Sequence, residues 1–470
     1  MKNPMNKYLL LLALVVLSAC KVTKDIALPQ PELPVAFRND NTPDTASIAD
    51  LPWKEYFTDA TLQSLIDSAI TKNYDMQLAL KNIEAAQLLL KQTKWAYWPD
   101  AKLQVAAGIN RPSDNSLNGL SASQFLQTTH IEDYTANVAL SWEADIWGKI
   151  KNQNAIAATN YLLTTEARKA IQTNIVASVS QGFYNLLMLD AQLGIAQKNL
   201  LLNDSTLNII RLQFNAGQVT TLAVQQAEAQ QLSTAELVPQ LEQAIVLQEN
   251  AIQVLSGVLP SKIQRSVLLE TVAVPEKASA GIPAAIVNRR PDVRRTELAL
   301  DIANSRVGIA KANMYPSLNI TAGGGINSFR ASNWFNIPAS LFGAVAGGIT
   351  QPLFQRKQLQ TQYDVAKIDR ERTVLQFRQT VLSAVGEVSD ALVKIEKLQT
   401  QQAIAANRVN TLQKAIANAN QLFKNGLANY LEVITAQANV LQSELQLVAI
   451  KRAQLNANVD LYKSLGGGWK

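Results

Sequence analysis

Few side chains in this 470-residue chain could do covalent or metal chemistry. It has one histidine, His130, and one cysteine, Cys20. A single His excludes most His-based metal sites and Ser-His-Asp triads. No P-loop, H-E-x-x-H or G-x-S-x-G string occurs, and Gly323-Gly324-Gly325 lacks the lysine of a phosphate loop. The sequence therefore reads as no enzyme, with no metal and no cofactor.

Cys20 is open to a different chemistry. Lys2 and Lys7 precede an apolar run from Tyr8 to Leu17, and Leu17-Ser18-Ala19-Cys20 follows. A positive start, a short apolar stretch and small residues before the cut make residues 1–19 a signal peptide. The run is too short to span a bilayer as a helix. A cysteine directly after the small residues makes the string a bacterial lipobox. Diacylglyceryl would sit on the Cys20 sulfur and a fatty acyl chain such as palmitate on the new amino group. Several acyl chains, at about 0.8 kcal/mol per buried methylene, give stable anchoring. Lys21 is not the Asp that retains some lipoproteins at the inner membrane, so outer-membrane delivery is expected. With no second cysteine, no intramolecular disulfide forms.

The formal charge of +6 is mild, and no Lys/Arg cluster is interleaved with aromatics, which argues against nucleic-acid binding. Beyond the signal there is no candidate membrane-spanning helix. If the mature chain crosses a bilayer, it does so as strands.

The chain contains itself twice. Asp75 to Pro99 reads as a helix ending Trp98-Pro99, and Asp292 to Pro316 as a helix ending Tyr315-Pro316. Later, Phe214-x-x-Gly217-x4-Leu222-x-Val224-x2-Ala227 matches Phe423-x-x-Gly426-x4-Leu431-x-Val433-x2-Ala436 without a gap. Each half reads helix, strand, loop, strand, very long helix, turn, long helix. The boundaries are a lipidated, extended, proline-rich segment over 20–59, a first repeat over 60–255, a belt segment at mid-height over 256–282 and a second repeat over 283–470.

Strands are expected near 101–110, 134–146, 317–328 and 340–352. In the first, Leu103, Val105, Ala107 and Ile109 alternate with Lys102, Gln104, Ala106 and Asn110. Alternation of this kind suits a half-buried soluble sheet or a membrane barrel. Trp95, Trp98, Trp142, Trp147, Tyr315, Trp334 and Phe335 fall near strand ends, where a barrel places its interfacial aromatics. Four strands cannot close a barrel, and an open edge cannot face lipid, so a membrane reading requires oligomers. Two copies give eight strands and three give twelve. The helix from Lys149 to about Arg211 would be about 95 Å long. The returning helix after Gly217 carries Pro239, which should kink it.

Specific strings carry a resemblance to a family. Ser141-Trp142-Glu143-Ala144-Asp145-Ile146-Trp147-Gly148-Lys149 resembles the strand-to-helix junction of TolC-like outer-membrane factors. The run Arg289-Arg290-Pro291-Asp292 to Ala310-Lys311-Ala312-Asn313-Met314-Tyr315-Pro316, and the tail Leu461 to Trp469, resemble the lipoprotein (OprM-like, NodT) branch. Thr296 departs from the branch's usual Ala.

The resemblance implies a mainly α fold with membrane β: a homotrimer with a twelve-stranded outer-membrane barrel on a long periplasmic helical tunnel. It implies an exit duct of a tripartite efflux system, with a periplasmic adaptor and an inner-membrane RND-type pump as partners. The turns at Phe214/Gly217 and Phe423/Gly426 would then be the periplasmic tips that meet the adaptor. Asp204, Arg211 and Arg408 lie near the tips, but the family's gate contacts do not map onto them securely. Competing readings are a type I secretion duct and a periplasmic helical scaffold or adaptor lipoprotein.

Overall fold

The computed structural model describes residues 33–34, 36–38, 47–274 and 279–470. The signal peptide, Cys20 and most of the segment expected to be extended lie outside the described residues. The far end of that segment is not extended. A 3-10 turn forms at Ile48–Asp50, capped where the Ala49 N–H donates to Ser47 Oγ, and Pro52 opens a helical turn at Trp53–Tyr56.

The main elements are α1 (Ala60–Lys72), α2 (Tyr74–Thr93), β1 (Asp100–Asn110), β2 (Ile131–Ala144), α3 (Lys149–Asn215), α4 (Thr221–Leu255), α5 (Pro291–Ala312), β3 (Ser317–Ser328), β4 (Leu341–Thr350), α6 (Gln358–Lys424) and α7 (Tyr430–Ser464). Among the described residues no helix is long and apolar enough to cross a membrane. Helix α4 is one continuous element with Pro239 inside it. The chain divides into two compact units.

One unit comprises Glu84–Leu162 and Leu298–Leu375 and holds a single antiparallel sheet in the order β1-β2-β3-β4. The register pairs Leu103 with Val138, Val138 with Gly324, and Gly324 with Gly343. Between β1 and β2 the chain forms a short helix, Leu117–Ser121, in which the Gly119 N–H donates to Ser116 Oγ, followed by a wide turn at 122–126. After β2, Asp145 starts α3: its two carboxylate oxygens accept from the Ile150 and Lys151 N–H groups at 3.0 and 2.8 Å. A carboxylate at a helix N-terminus satisfies orphan donors and complements the helix dipole.

The other unit comprises Leu163–Glu297, Gln376–Lys470 and the described residues up to Ile83. Its core packs Val179, Phe183, Leu186 and Leu187 of α3 against Leu62 and Ile66 of α1, Ile252 of α4 and Val459 and Tyr462 of α7. Tyr56 and Tyr462 stack at 4.2 Å, and their hydroxyls donate to the Asn458 and Leu51 carbonyls. Burial pushes the Tyr462 phenol up to about 12 and raises Tyr56 and Tyr184 further.

Two polar clips hold irregular chain onto these helices. Arg265, in the segment after α4, grips Asp190 of α3 bidentately (2.6 and 2.8 Å) and also donates to Glu249 of α4. Arg290, almost fully buried, pairs with Asp292 and with Glu387 of α6 at 2.6 Å and donates to the Ser464 carbonyl. Beside Arg290 lies the segment Leu465–Lys470. The Gly467 carbonyl accepts from Thr173 Oγ1, Trp469 Nε1 donates to the Arg289 carbonyl, and Lys169 sits 4.5 Å from the Trp469 ring centre. A Cβ on Gly467 would come within 2.5 Å of the Tyr462 ring, so only glycine fits there.

Candidate functional site: a two-faced sheet and two helical turns

The register sorts every strand residue onto one of two faces. Directly opposed residues share a face, so Leu103, Val105, Ala107 and Ile109 of β1 lie with Tyr134, Ala136, Val138, Leu140 and Trp142 of β2. The same face continues through Leu318, Ile320, Ala322 and Ile326 of β3 to Leu341, Val345 and Ile349 of β4. The opposite face carries Asp100, Lys102, Gln104, Asp133, Thr135, Asn137, Ser141, Glu143, Asn319, Thr321, Asn327 and Thr350, with Phe342 the large apolar exception. A sheet apolar on one face and polar on the other matches a bilayer on one side and water on the other. Strand lengths of 11, 14, 12 and 10 residues suit the about 9–11 residues of a tilted spanning strand.

Aromatics mark both ends. At one end Trp142 Nε1 donates to the Tyr97 carbonyl at 2.9 Å, Trp147 Nε1 donates to the Pro316 carbonyl at 2.7 Å, and the Trp147 and Tyr315 rings stack. At the other end Trp334 contacts Tyr134 and Phe335. The Trp142 and Trp147 rings, apolar in body and hydrogen-bonded at the tip, are of the kind that collects at bilayer interfaces.

The sheet is incomplete as it stands. Every residue of β1 and every residue of β4 is exposed, and each is a terminal strand with one unpaired edge. Among the described residues, no further strand pairs with those edges.

The two turns singled out from the sequence have the same backbone. Gly217 (φ +75°) and Gly426 (φ +70°) adopt the left-handed conformation. The Gln218 N–H donates to the Gln213 carbonyl and the Leu427 N–H to the Leu422 carbonyl, each at 2.9 Å. This six-residue closure is a Schellman motif, which needs glycine after the helix end. The two phenylalanines differ. Phe423 is buried with Leu207, Ile210, Ala223, Ala227 and Val433, whereas Phe214 is 42% exposed. Leu212 and Leu222 near the first turn, and Leu422, Leu427 and Leu431 near the second, are also exposed.

The three charged residues singled out near the turns are engaged within the chain. Asp204 accepts from Gln231, Arg211 lies 3.6 Å from Glu228, and Arg408 donates to Gln446. One residue went unnoticed in the sequence: Glu444 of α7 accepts from Asn199 of α3 and Gln413 of α6, joining three helices. A carboxylate amid neutral amides on a helix face gives no sequence signal of such a bridge. Among the described residues no cluster of His, Cys, Asp and Glu could hold a metal ion.

Comparison with known proteins places this geometry. The outer membrane efflux protein family matches residues 65–258 and 282–467. The cation efflux system protein CusC of Escherichia coli is 26% identical over 457 residues, covering 97% of each chain. The toluene efflux pump outer membrane protein TtgF of Pseudomonas putida is 28% identical over 479 residues, covering 98% of this chain and 97% of that one. A crystal structure of CusC superposes with a TM-score of 0.84 at 25% identity, covering 95% of this chain and 99% of that chain. The fold is that of the TolC-like channels, mainly helical with a membrane sheet. With both halves matched, this chain belongs to the outer membrane efflux protein family.

Proposed function

We propose that this protein is the passive exit duct of a tripartite efflux system. It conducts substrate that an inner-membrane RND-type pump hands over through a periplasmic adaptor. The observation that carries this is the sheet, with one apolar face, one polar face and two unpaired edges. Unpaired edges cannot stand in hydrocarbon, so β1 of one copy pairs with β4 of the next. Three copies close a twelve-stranded barrel, an even number within the range of such barrels.

The polar face then lines the lumen. Its charges are Asp100, Lys102 and Glu143 toward the end of the sheet marked by Trp142, where Lys102 pairs with Asp100 and Lys149 with Glu143, and Asp133 toward the other end, where it accepts from Asn327. A lumen dominated by Asn, Thr, Ser, Gly and Ala discriminates little, so substrate choice falls to the pump. The relatives' cargo, cations for one and toluene for another, differs accordingly by name. Lipid on Cys20 anchors the chain. The exposed apolar residues around Gly217 and Gly426 receive the adaptor, and the trimer needs no cofactor beyond that lipid.

Single-channel recording of the purified lipoprotein in planar bilayers tests the duct. Gated conductance from a trimer, with weak preference between cations and anions, is the expected result. A stable monomer that fails to insert would overturn the reading and leave a periplasmic scaffold.

A further inference from the structure

We infer that the helical unit holds a binding site for an anionic amphiphile, a molecule with one carboxylate or sulfonate head and an apolar body, in a cavity walled by α3, α6, α7 and the segment after α4. All its walls belong to one chain and one compact unit, so the site does not depend on the number of copies.

Three helices each present one stripe to the cavity, with residues three or four apart. Leu187, Ala191, Ile195 and Lys198 lie on α3, Gln402, Ala406, Val409 and Gln413 on α6, and Glu444, Val448 and Lys451 on α7. The fourth wall is the irregular chain over 262–270, which Arg265 clips to Asp190 of α3 and Glu249 of α4. The cavity measures about 1010 Å³. Sites that enclose a drug-sized molecule run to roughly 300–1,000 Å³. A Cβ on Gly194 would meet nothing within 4 Å, so α3 opens onto free space there.

The walls combine apolar surface with unpaired positive charge. Leu187, Leu269 and Val448 belong to the core of the unit, and half-buried Ile195 and Val267 extend that surface along the cavity. Lys198, Lys262 and Lys451 line it, and among the described residues none of the three has an ion-pair or hydrogen-bond partner. Lys198 and Lys262 are exposed, whereas Lys451 is half-buried. Burial lowers the Lys451 amine below its ordinary value, and no carboxylate of the chain lifts it back.

The acids of the cavity are committed elsewhere or open to water. Asp190 is held by Arg265, Glu444 accepts from Asn199 and Gln413, and Glu270 is exposed. A half-buried ammonium without a counter-ion is unfavourable, and an anion entering the cavity relieves it. An inorganic anion would satisfy the lysines and leave the apolar walls wet. A hydrocarbon would do the reverse, and a cationic amphiphile would meet three like charges. An anionic amphiphile answers both features.

The test uses the full-length lipoprotein in nanodiscs of zwitterionic lipid, with empty discs as the blank and anilinonaphthalene sulfonate as the fluorescent probe. The parent should bind the probe saturably, one per chain. Decanoate should displace it, and decyltrimethylammonium should not. Lys451→Met keeps the stem, removes the charge and should weaken binding about tenfold, the loss of one charge-assisted contact. Lys451→Arg should restore it. Gly194→Phe fills the cavity without touching a charge and should abolish binding at an unchanged thermal midpoint. No saturable binding by the parent would overturn the site. Full affinity in Gly194→Phe would place the probe outside the cavity and overturn it as well. Full affinity in Lys451→Met, or displacement by the cationic amphiphile, would overturn the anionic occupant. Conductance of the same protein is a separate readout, so each of these failures leaves the duct reading standing.

Discussion

Gly217 and Gly426 close their helices with one geometry, yet the phenylalanine three residues before each is held differently. Phe423 sinks into a cluster built largely from the first repeat, with Leu207, Ile210, Ala223 and Ala227 around it, while Phe214 is left half in water. The caps differ as well. Asn429 accepts from the Leu431 and Glu432 N–H groups, whereas the Thr220 side chain caps nothing. Duplication has preserved the backbone of the turn and divided the labour of its side chains. The second turn is built to stay folded, and the first presents an aromatic ring.

The largest effect that would break this contrast is at the phenylalanines. Phe423→Ala should cost about 3–5 kcal/mol locally, the range for truncating a buried ring, and Phe214→Ala under about 1. Hydrogen exchange of the amides in 205–230 and 415–440 would measure both. Equal losses would mean the two rings do the same job. If the first turn is the adaptor's aromatic contact, Phe214→Ala should instead lower adaptor binding in pull-down while leaving exchange unchanged.

Next come the glycines. A Cβ added at either would meet nothing within 4 Å, so only backbone strain is at stake. Gly217→Ala and Gly426→Ala should each cost about 1–2 kcal/mol and by the same amount, read from the thermal midpoint of the trimer. A clear inequality would reveal packing at one turn. A smaller difference is expected at the caps: Asn429→Ala should cost about 1 kcal/mol and Thr220→Ala close to nothing.

The smallest effect concerns the starts of α2 and α5, which also correspond. Asn73 opens α2 by accepting from the Asp75 and Met76 N–H groups, a cap with no charge to lose. At the matching place before α5 stands Arg290, paired with Asp292. Burial alone would raise the Asp292 carboxyl, but the guanidinium's hydrogen bonds and charge hold it below the usual range. A depressed carboxylate stabilises the fold above its unfolded value of about 3.9 and loses that contribution as pH falls through the folded value. Acid titration should therefore loosen the start of α5 before that of α2, and Asp292→Asn should remove the difference.

The sheet was legible where side chains alternate. Leu103, Val105, Ala107 and Ile109 announce β1, while Gly343, Gly347 and Gly348 leave β4 with gaps in its pattern. The long helices were legible from their uninterrupted apolar spacing. Helix α1 was readable in hindsight: Asp59 accepts from the Leu62 N–H, and Leu62, Ile66 and Ala69 fall on one face. The unequal fates of Phe214 and Phe423 were not legible, because the two strings are alike and the difference lies in what packs across from them. Nor was Arg265, whose partners Asp190 and Glu249 lie on two different helices. Contacts between residues far apart leave no local period to read.

The segment Leu465–Lys470 has a consequence in time as well as space. Its seat is made by Thr173 and Arg289, and the Thr173–Gly467 bond joins residues 294 positions apart. A chain crossing a membrane from its N-terminus presents the seat long before the segment that fills it. Until Gly467 and Trp469 arrive, the Thr173 hydroxyl lacks its partner and Arg290 lacks the Ser464 carbonyl. The unit is thus completed by late residues, which delays its final packing until nearly all of this sequence has been exported.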